Sequence, residues 1–429
     1  MATNVPVTPL SGPPAAFGGT PAFPEGLAFV RPTVPDAEAV VDDLRKILGS
    51  GMLTNASYVR ELERRCAEYL GVRHCVAVSS CTSGLMLVLK ASELSGDVVM
   101  PSFTFVATAH AAAWNGLRPV FADIDPQTLT LSAAQTLLGI GVRTSAILAT
   151  HTYGTPCDIE GLMKVARRDG IRLFFDAAHA FGSRYQGTPI GGFGDAEVFS
   201  LSPTKVLVAG EGGIIATNDD ILAQRCRIGR DYANPGDYNA RFVGLNARMS
   251  EIHAAIALAS LEGLEERIAR RNEIAALYRG SLSDVPGVSF PLVPAGDRST
   301  YKDLTIIVDE DRFGCDAAQL ARALADDGID TRRYYAPPVH EMRPYRRMKA
   351  SNGFLEATIQ AAGSVLTLPL WIEMSDATVM RVSDSVRRIQ RWLESRKAGR
   401  AHRDSTINID EPAEANARGT ADPTERAQG

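Results

Sequence analysis

The chain lacks long apolar runs. Ala254 to Ala259 is typical of the uninterrupted ones, far short of the ~20 residues that a membrane helix requires. It also lacks an excess of charge of one sign. Its 45 basic and 50 acidic side chains leave a formal net charge of −5, which gives no electrostatic footprint for nucleic acid or an anionic membrane surface. Cysteine is sparse: Cys66, Cys75, Cys81, Cys157, Cys226 and Cys315 form no C-x-x-C pair and no disulfide framework, so reduced thiols in a cytoplasmic protein are expected. No His, Cys and acidic residues cluster at metal-ligand spacing. No basic residue precedes Arg31, and prolines and glycines break that segment, so a secretory leader is not expected. What remains is globular material, 45% hydrophobic and 22% charged, long enough for two domains.

The chemistry concentrates in Phe199-Ser200-Leu201-Ser202-Pro203-Thr204-Lys205, followed by Gly210-Glu211-Gly212-Gly213. Upstream, the apolar run Leu173-Phe174-Phe175 reads as a buried strand that delivers Asp176, with His179 close behind. A second run, Ala196 to Phe199, ends at Ser200. Two neighbouring strands would then present an acid and an amine at one sheet edge, where α/β proteins bind ligands. Taken singly, Lys205 reads as a solvated loop residue and Asp176 as a turn or cap. Their order and spacing together suit the holding of a charged heterocycle. His74 to Val78 reads as a strand running into Ser79-Ser80-Cys81-Thr82-Ser83-Gly84 and a helix. Such a small-residue turn can cradle a phosphate or simply cap the helix.

Several stretches between roughly Ala28 and Leu393 resemble the DegT/DnrJ/StrS sugar aminotransferases. These are Tyr69-Leu70-Gly71, Pro101 to Thr108 with Phe105 at its centre, Asp176 to His179, the Lys205 segment, and Val243 to Glu251 with Asn246. The resemblance implies the α/β fold of aspartate aminotransferase, fold type I, with pyridoxal 5'-phosphate as cofactor. Lys205 would engage the cofactor aldehyde and serve as base, Asp176 would pair with the ring nitrogen, and His179 would sit near the phenolic oxygen. Phe105 would stack on the ring, while Thr82, Ser83 and Ser200 would take the phosphate. Asn246 would reach the phosphate of a second subunit, so a homodimer with shared sites is implied. The implied substrates are L-glutamate as donor and a nucleotide-linked keto sugar, a dTDP-4-keto-6-deoxyhexose foremost, as in many antibiotic and surface-glycan pathways. A keto cyclitol or a 3-keto sugar is the alternative acceptor. Lys205 argues against the family's dehydratase branch, and the Asp176, Ser200 and Lys205 set argues against a regulatory protein without turnover.

The expected organisation is a flexible arm over residues 1–25, a large domain with a mostly parallel sheet over 26–265, a smaller α/β domain over 266–396 and a disordered tail over 397–429. His151 and His340 are weaker candidates for the site. Arg230, Arg241, Lys302 and Arg333 are candidate partners for a substrate pyrophosphate. One departure stands out: where the family resemblance leads one to expect His-Pro after Leu368-Pro369-Leu370, the chain has Trp371-Ile372. That exchange would reshape either a pocket or the packing of the small domain.

Overall fold

The structure is a computed structural model that describes residues 10–348 and 354–404. Strands buried on both faces are built from continuous apolar residues, and the main sheet follows that rule. It comprises β1 (His74–Val78), β2 (Asp97–Pro101), β3 (Arg118–Ala122), β4 (Thr144–Thr150) and β5 (Arg172–Asp176). After a short hairpin of β6 (Arg184–Tyr185) and β7 (Thr188–Pro189), β8 (Ala196–Ser200) and β9 (Gly213–Thr217) complete it. The seven strands lie in the order β1-β9-β8-β5-β4-β2-β3. Only β9 opposes its neighbours, and all other pairings among β8, β5, β4, β2 and β3 are parallel. Along β5, Leu173 and Phe175 enter one hydrophobic core and Phe174 the other, the alternation that a strand imposes.

This topology brings the C-terminal ends of the parallel strands to one edge. Asp176 pairs in register with Val198, so Ser200 projects two residues further along the neighbouring strand. Gly213, the first residue of β9, lies opposite both Val78 and Ser200. A Cβ there would fall 2.7 Å from the backbone nitrogen of Cys81 and 2.8 Å from the carbonyl carbon of Ser80. Only glycine lets the strand pass so close beneath that turn.

A second core surrounds the antiparallel sheet of β10 (Val288–Ser289), β11 (Leu304–Val308) and β12 (Val365–Leu368). The helix Leu264–Leu282 joins the cores: Leu264 and Ile268 pack in the first, and Ile274, Tyr278 and Leu282 in the second. On the last helix, Asp376–Asp404, the residues Val379, Val382, Val386 and Ile389 are buried at the spacing of three and four seen in the sequence. Trp371 packs in this second core at 3% exposure beneath the guanidinium of Arg31. Trp371 is therefore a residue of the small-domain packing. The described cysteines are all buried and unpaired.

Both chain ends depart from expectation. Residues 10–25 are not a free arm; they lie along the second core. Ala15 donates its N–H to Asp327 at 3.0 Å, and Arg381 donates to the carbonyl of Ala22 at 2.7 Å. Ala22 and Leu27 are buried there, and Gly328 permits the contact, since a Cβ would lie 2.0 Å from the carbonyl oxygen of Phe23. Composition suggested flexibility, but the backbone groups of this segment find partners on folded helices. At the other end the helix continues through Asp404, into the stretch expected as a disordered tail from residue 397. Residues 1–9 and 405–429 lie outside the described residues.

Candidate active site

At the shared edge, β5, β8, the turn after β1 and the loop after β2 enclose a cavity of about 340 Å³. Its lining includes Asp176, His179, Ser200, Lys205, Thr82 and Phe105. A wider cleft of about 880 Å³ opens elsewhere, between Pro126 and Ser364, but no lysine, histidine or cysteine lines it. Chemistry rather than volume therefore marks the smaller cavity as the site.

The Lys205 loop is held at both ends. Leu201 donates to the carbonyl of Gly212 at 2.9 Å, Lys205 N–H closes a turn on Ser202 at 3.0 Å, and Val206 to Ala209 are buried behind it. The side chain is thus aimed rather than free to wander. Burial first, and then the neighbouring charge of Lys302, lower the Lys205 amine from its usual 10.5 to about 8. Roughly a tenth of it is then free amine at pH 7, against about one part in three thousand for an ordinary lysine. In cofactor-free protein, capture of pyridoxal phosphate by this amine should accelerate with pH up to about 8 and level off above. Stopped-flow absorbance across pH 6–10.5 checks it, and a rise continuing past pH 10 would show an ordinary solvated lysine.

Asp176 lies at the buried end of β5. Thr108 donates to its Oδ2 at 2.7 Å and the Ala178 N–H to its Oδ1 at 3.1 Å. Burial nevertheless raises its carboxyl above the usual range, those two bonds and the Lys205 charge pulling the other way. A carboxylate here calls for a cationic partner from the cavity side. His179 is buried, and desolvation together with Lys205 and Lys302 holds its imidazole neutral, well below the ordinary range. Its Nδ1 has no hydrogen-bond partner among the described residues. A neutral ring with an unsatisfied nitrogen can serve a polar group of a bound heterocycle.

The turn after β1 ends in the helix Cys81–Ala91. Thr82 and Ser80 line the cavity, but Ser83 does not. The Ser83 hydroxyl is engaged with Ser80 in a capping box, its oxygen accepting from Ser80 N–H at 3.1 Å. Of this turn, then, Ser80 and Thr82 face the cavity, with the helix N-terminus behind them, while Ser83 is turned to the cap. Phe105 occupies the N-cap position of the helix Val106–Trp114 and is 58% exposed at the cavity wall, where a flat ligand could stack.

The other candidates fall elsewhere. His151 is fully buried, accepts from Cys157 N–H at 3.1 Å, lies 3.2 Å from Glu197 and stacks on Phe175. It pins the core beneath the site. His340 is bonded to Ser102 at 2.7 Å and is not in the cavity wall. Of the four cations, Arg230 is tied to Glu63 and to the carbonyl of Ala77, Arg241 to Asp237, and Arg333 to the carbonyls of Ala362 and Gly363. Lys302 alone lines the cavity, beside Asp303, Tyr334 and Tyr335. Asn246 is exposed on a pairing with Asp231, outside its own chain's cavity wall. Sequence reasoning missed Asp303 and Tyr334, and it touched Tyr335 only as the first residue of Tyr335 to His340, a segment that resembles the family's substrate-side loop. An acid and a lysine set directly before the apolar strand Leu304–Val308 was the available signal.

The residues present fit pyridoxal phosphate: an amine poised near neutrality, a buried carboxylate short of a cation, a neutral imidazole with an orphaned nitrogen and a helix N-terminus for an anion. Comparisons with known proteins agree. The model of the DegT/DnrJ/EryC1/StrS aminotransferase family matches residues 35–387. The spore coat polysaccharide biosynthesis protein SpsC of Bacillus subtilis (strain 168) is 34% identical over 368 residues, covering 81% of this chain and 94% of that protein. The dTDP-4-amino-4,6-dideoxy-D-glucose transaminase of Escherichia coli is 32% identical over 360 residues, covering 83% and 97%. The crystal structure of DesI in the presence of its TDP-sugar product superposes with a TM-score of 0.84 at 39% identity, over 91% of this chain and 99% of that one. With its α/β architecture, its lysine and its carboxylate accounted for, the chain belongs to the DegT/DnrJ/EryC1/StrS aminotransferase family of pyridoxal-phosphate-dependent enzymes.

Proposed function

We propose that the protein moves an amino group from L-glutamate to a nucleotide-linked keto sugar, a dTDP-4-keto-6-deoxyhexose foremost. The observation that carries this reading is the juxtaposition of Lys205, Asp176 and His179 in one cavity. The E. coli relative named for a dTDP-amino sugar and the DesI structure with its TDP-sugar product support the acceptor class. When bound, pyridoxal phosphate supplies an aldehyde and an electron-accepting ring. Asp176 would hold the ring nitrogen protonated. His179 would orient the ring through its phenolic oxygen, and Ser80, Thr82 and Ser200 would fix the phosphate. Lys205 Nζ, freed when the donor nitrogen takes its place, would carry the proton from the donor carbon and later return one to the sugar carbon. The unpaired cysteines fit a cytoplasmic enzyme.

The test is an absorbance spectrum of the holoenzyme before and after L-glutamate, followed by addition of dTDP-4-keto-6-deoxyglucose and chromatography of the product. A visible band that fades with glutamate and returns with the keto sugar, with amino sugar formed, is expected. A band that never responds to amino acids would sink the reading.

The reading includes a homodimer in which Asn246 serves the cavity of a second copy. Its support is that Asn246 is exposed and that Tyr232, bonded through its N–H to Leu245, and Val243 close by in the chain are exposed too, apolar surface of the kind that interfaces cover. Asn246→Ala should then weaken cofactor retention about 10-fold, the worth of one charge-assisted hydrogen bond, without splitting the dimer in sedimentation. Full activity in a monomeric protein would overturn the shared site.

A further inference from the structure

Opposite Lys205 the cavity has a second ammonium. Lys302 is 7% and Asp303 4% exposed, and Lys302 Nζ donates to Asp303 Oδ1 at 2.8 Å. Their backbone is clamped from two sides. Lys302 N–H donates to the carbonyl of Tyr153 at 3.0 Å, and buried Arg271 donates to the carbonyls of Thr300, Tyr301 and Lys302 at 3.2, 3.0 and 2.7 Å. An ammonium has three donors, and Asp303 takes one. Asp303 Oδ2 and His179 Nδ1 lie 4.0 Å apart, buried, and neither has a partner among the described residues. Two orphaned polar atoms beside a lysine with spare donors mark a wall built for a polar guest.

We propose that Lys302, steadied by Asp303, receives the α-carboxylate of the amino-group donor. The inference rests on the aminotransferase reading and names the donor subsite within it. Position and charge both favour a carboxylate over a diphosphate. The donor's carboxylate is one carbon from the nitrogen that takes the place of Lys205 Nζ, so its cation must stand close to Lys205. Lys302 lines the same cavity as Lys205 and His179, and its charge lowers the pKa of both. The diphosphate of a 4-keto sugar nucleotide, by contrast, is attached across the sugar ring from the reacting carbon. Asp303, 2.8 Å from Lys302 Nζ, offsets part of that charge, so the pair is better matched to one negative charge than to two. The Tyr334 ring lies 5.9 Å from Lys302 Nζ, a cation–π contact that helps hold the ammonium in place.

The test compares Lys302→Met, Lys302→Arg and the double variant Lys302→Met/Asp303→Asn, the last because the single change leaves a buried carboxylate without its cation. Two readouts are taken on the holoenzyme: KM for L-glutamate against KM for the keto sugar, and the Kd of maleate, an unreactive dicarboxylate, by calorimetry. The methionine variants should raise the glutamate KM and the maleate Kd by about 10- to 100-fold, the worth of a charge-assisted contact, with the keto-sugar KM held within about twofold. Lys302→Arg should recover much of the loss. A rise confined to the keto-sugar KM would assign Lys302 to the nucleotide, and no change in either would leave it a structural pair; both overturn the proposal. If the wild-type protein exchanges with no amino acid, the aminotransferase reading fails separately, because maleate binding still reports on Lys302.

Discussion

Lys205→Ala is expected to abolish amino transfer and the visible absorbance of the cofactor while leaving the fold intact. Proton transfer by a positioned base is worth about 10²- to 10⁴-fold, and the same residue supplies the amine that engages the aldehyde, so the loss should reach the detection limit. The fold should tolerate the change because the Lys205 ammonium is an electrostatic burden: it is desolvated and repelled by Lys302. Circular dichroism and a melting curve should match or exceed the wild type. Lys205→Arg serves as the control that keeps a cation without a usable nucleophile, and it should be equally inactive. Amino exchange surviving in either variant would remove Lys205 from the mechanism.

Asp176→Asn should separate cofactor chemistry from stability in opposite directions. The carboxylate accepts from Thr108 and Ala178 and is raised by burial above its ordinary 3.8. A raised folded value means that the native state binds its proton more tightly than the unfolded chain does. This group therefore costs the cofactor-free protein stability as pH climbs from about 3.8 through the folded value, and the whole cost persists above it. Asp176→Asn removes that cost, so cofactor-free protein at pH 7 should melt no lower than wild type. The holoenzyme should suffer instead. Without a charged partner for the ring nitrogen, cofactor affinity should fall about 10- to 100-fold, the range for a charge-assisted hydrogen bond of about 1.5–3 kcal/mol, and turnover should fall further as the ring loses its proton. A variant that keeps both affinity and turnover would displace Asp176 from the site.

The parts of this site that were legible in the sequence are those whose position is set locally. Asp176 and Ser200 end apolar runs, and a residue at a strand end in a mostly parallel sheet reaches the ligand edge whatever the loops do. Lys205 follows within a short turn. Lys302, Asp303, Tyr334 and Tyr335 come from around the second sheet, and only the docking of that core against the first brings them to the cavity. Lys302 was visible only as one cation among four. Ser83 is ambiguous in the sequence for a different reason: its spacing from Ser80 permits either a phosphate contact or a cap, and the structure shows the cap. The segment over residues 10–25 was misread because proline and glycine content reports intrinsic flexibility, not whether distant backbone and side-chain groups will tie the chain down.

The placement of that segment has a consequence for biosynthesis. Its anchors are late in the chain: Asp327 lies 312 residues after Ala15, Arg381 359 residues after Ala22, and Arg388 368 residues after Thr20. At about 5–20 residues per second, the segment leaves the ribosome about 20–70 s before Arg388 is made. The first described residues to be synthesised are thus among the last to be seated, and they must stay soluble through nearly the whole of translation. A segment rich in proline and glycine, with no run of large apolar residues, is suited to that wait.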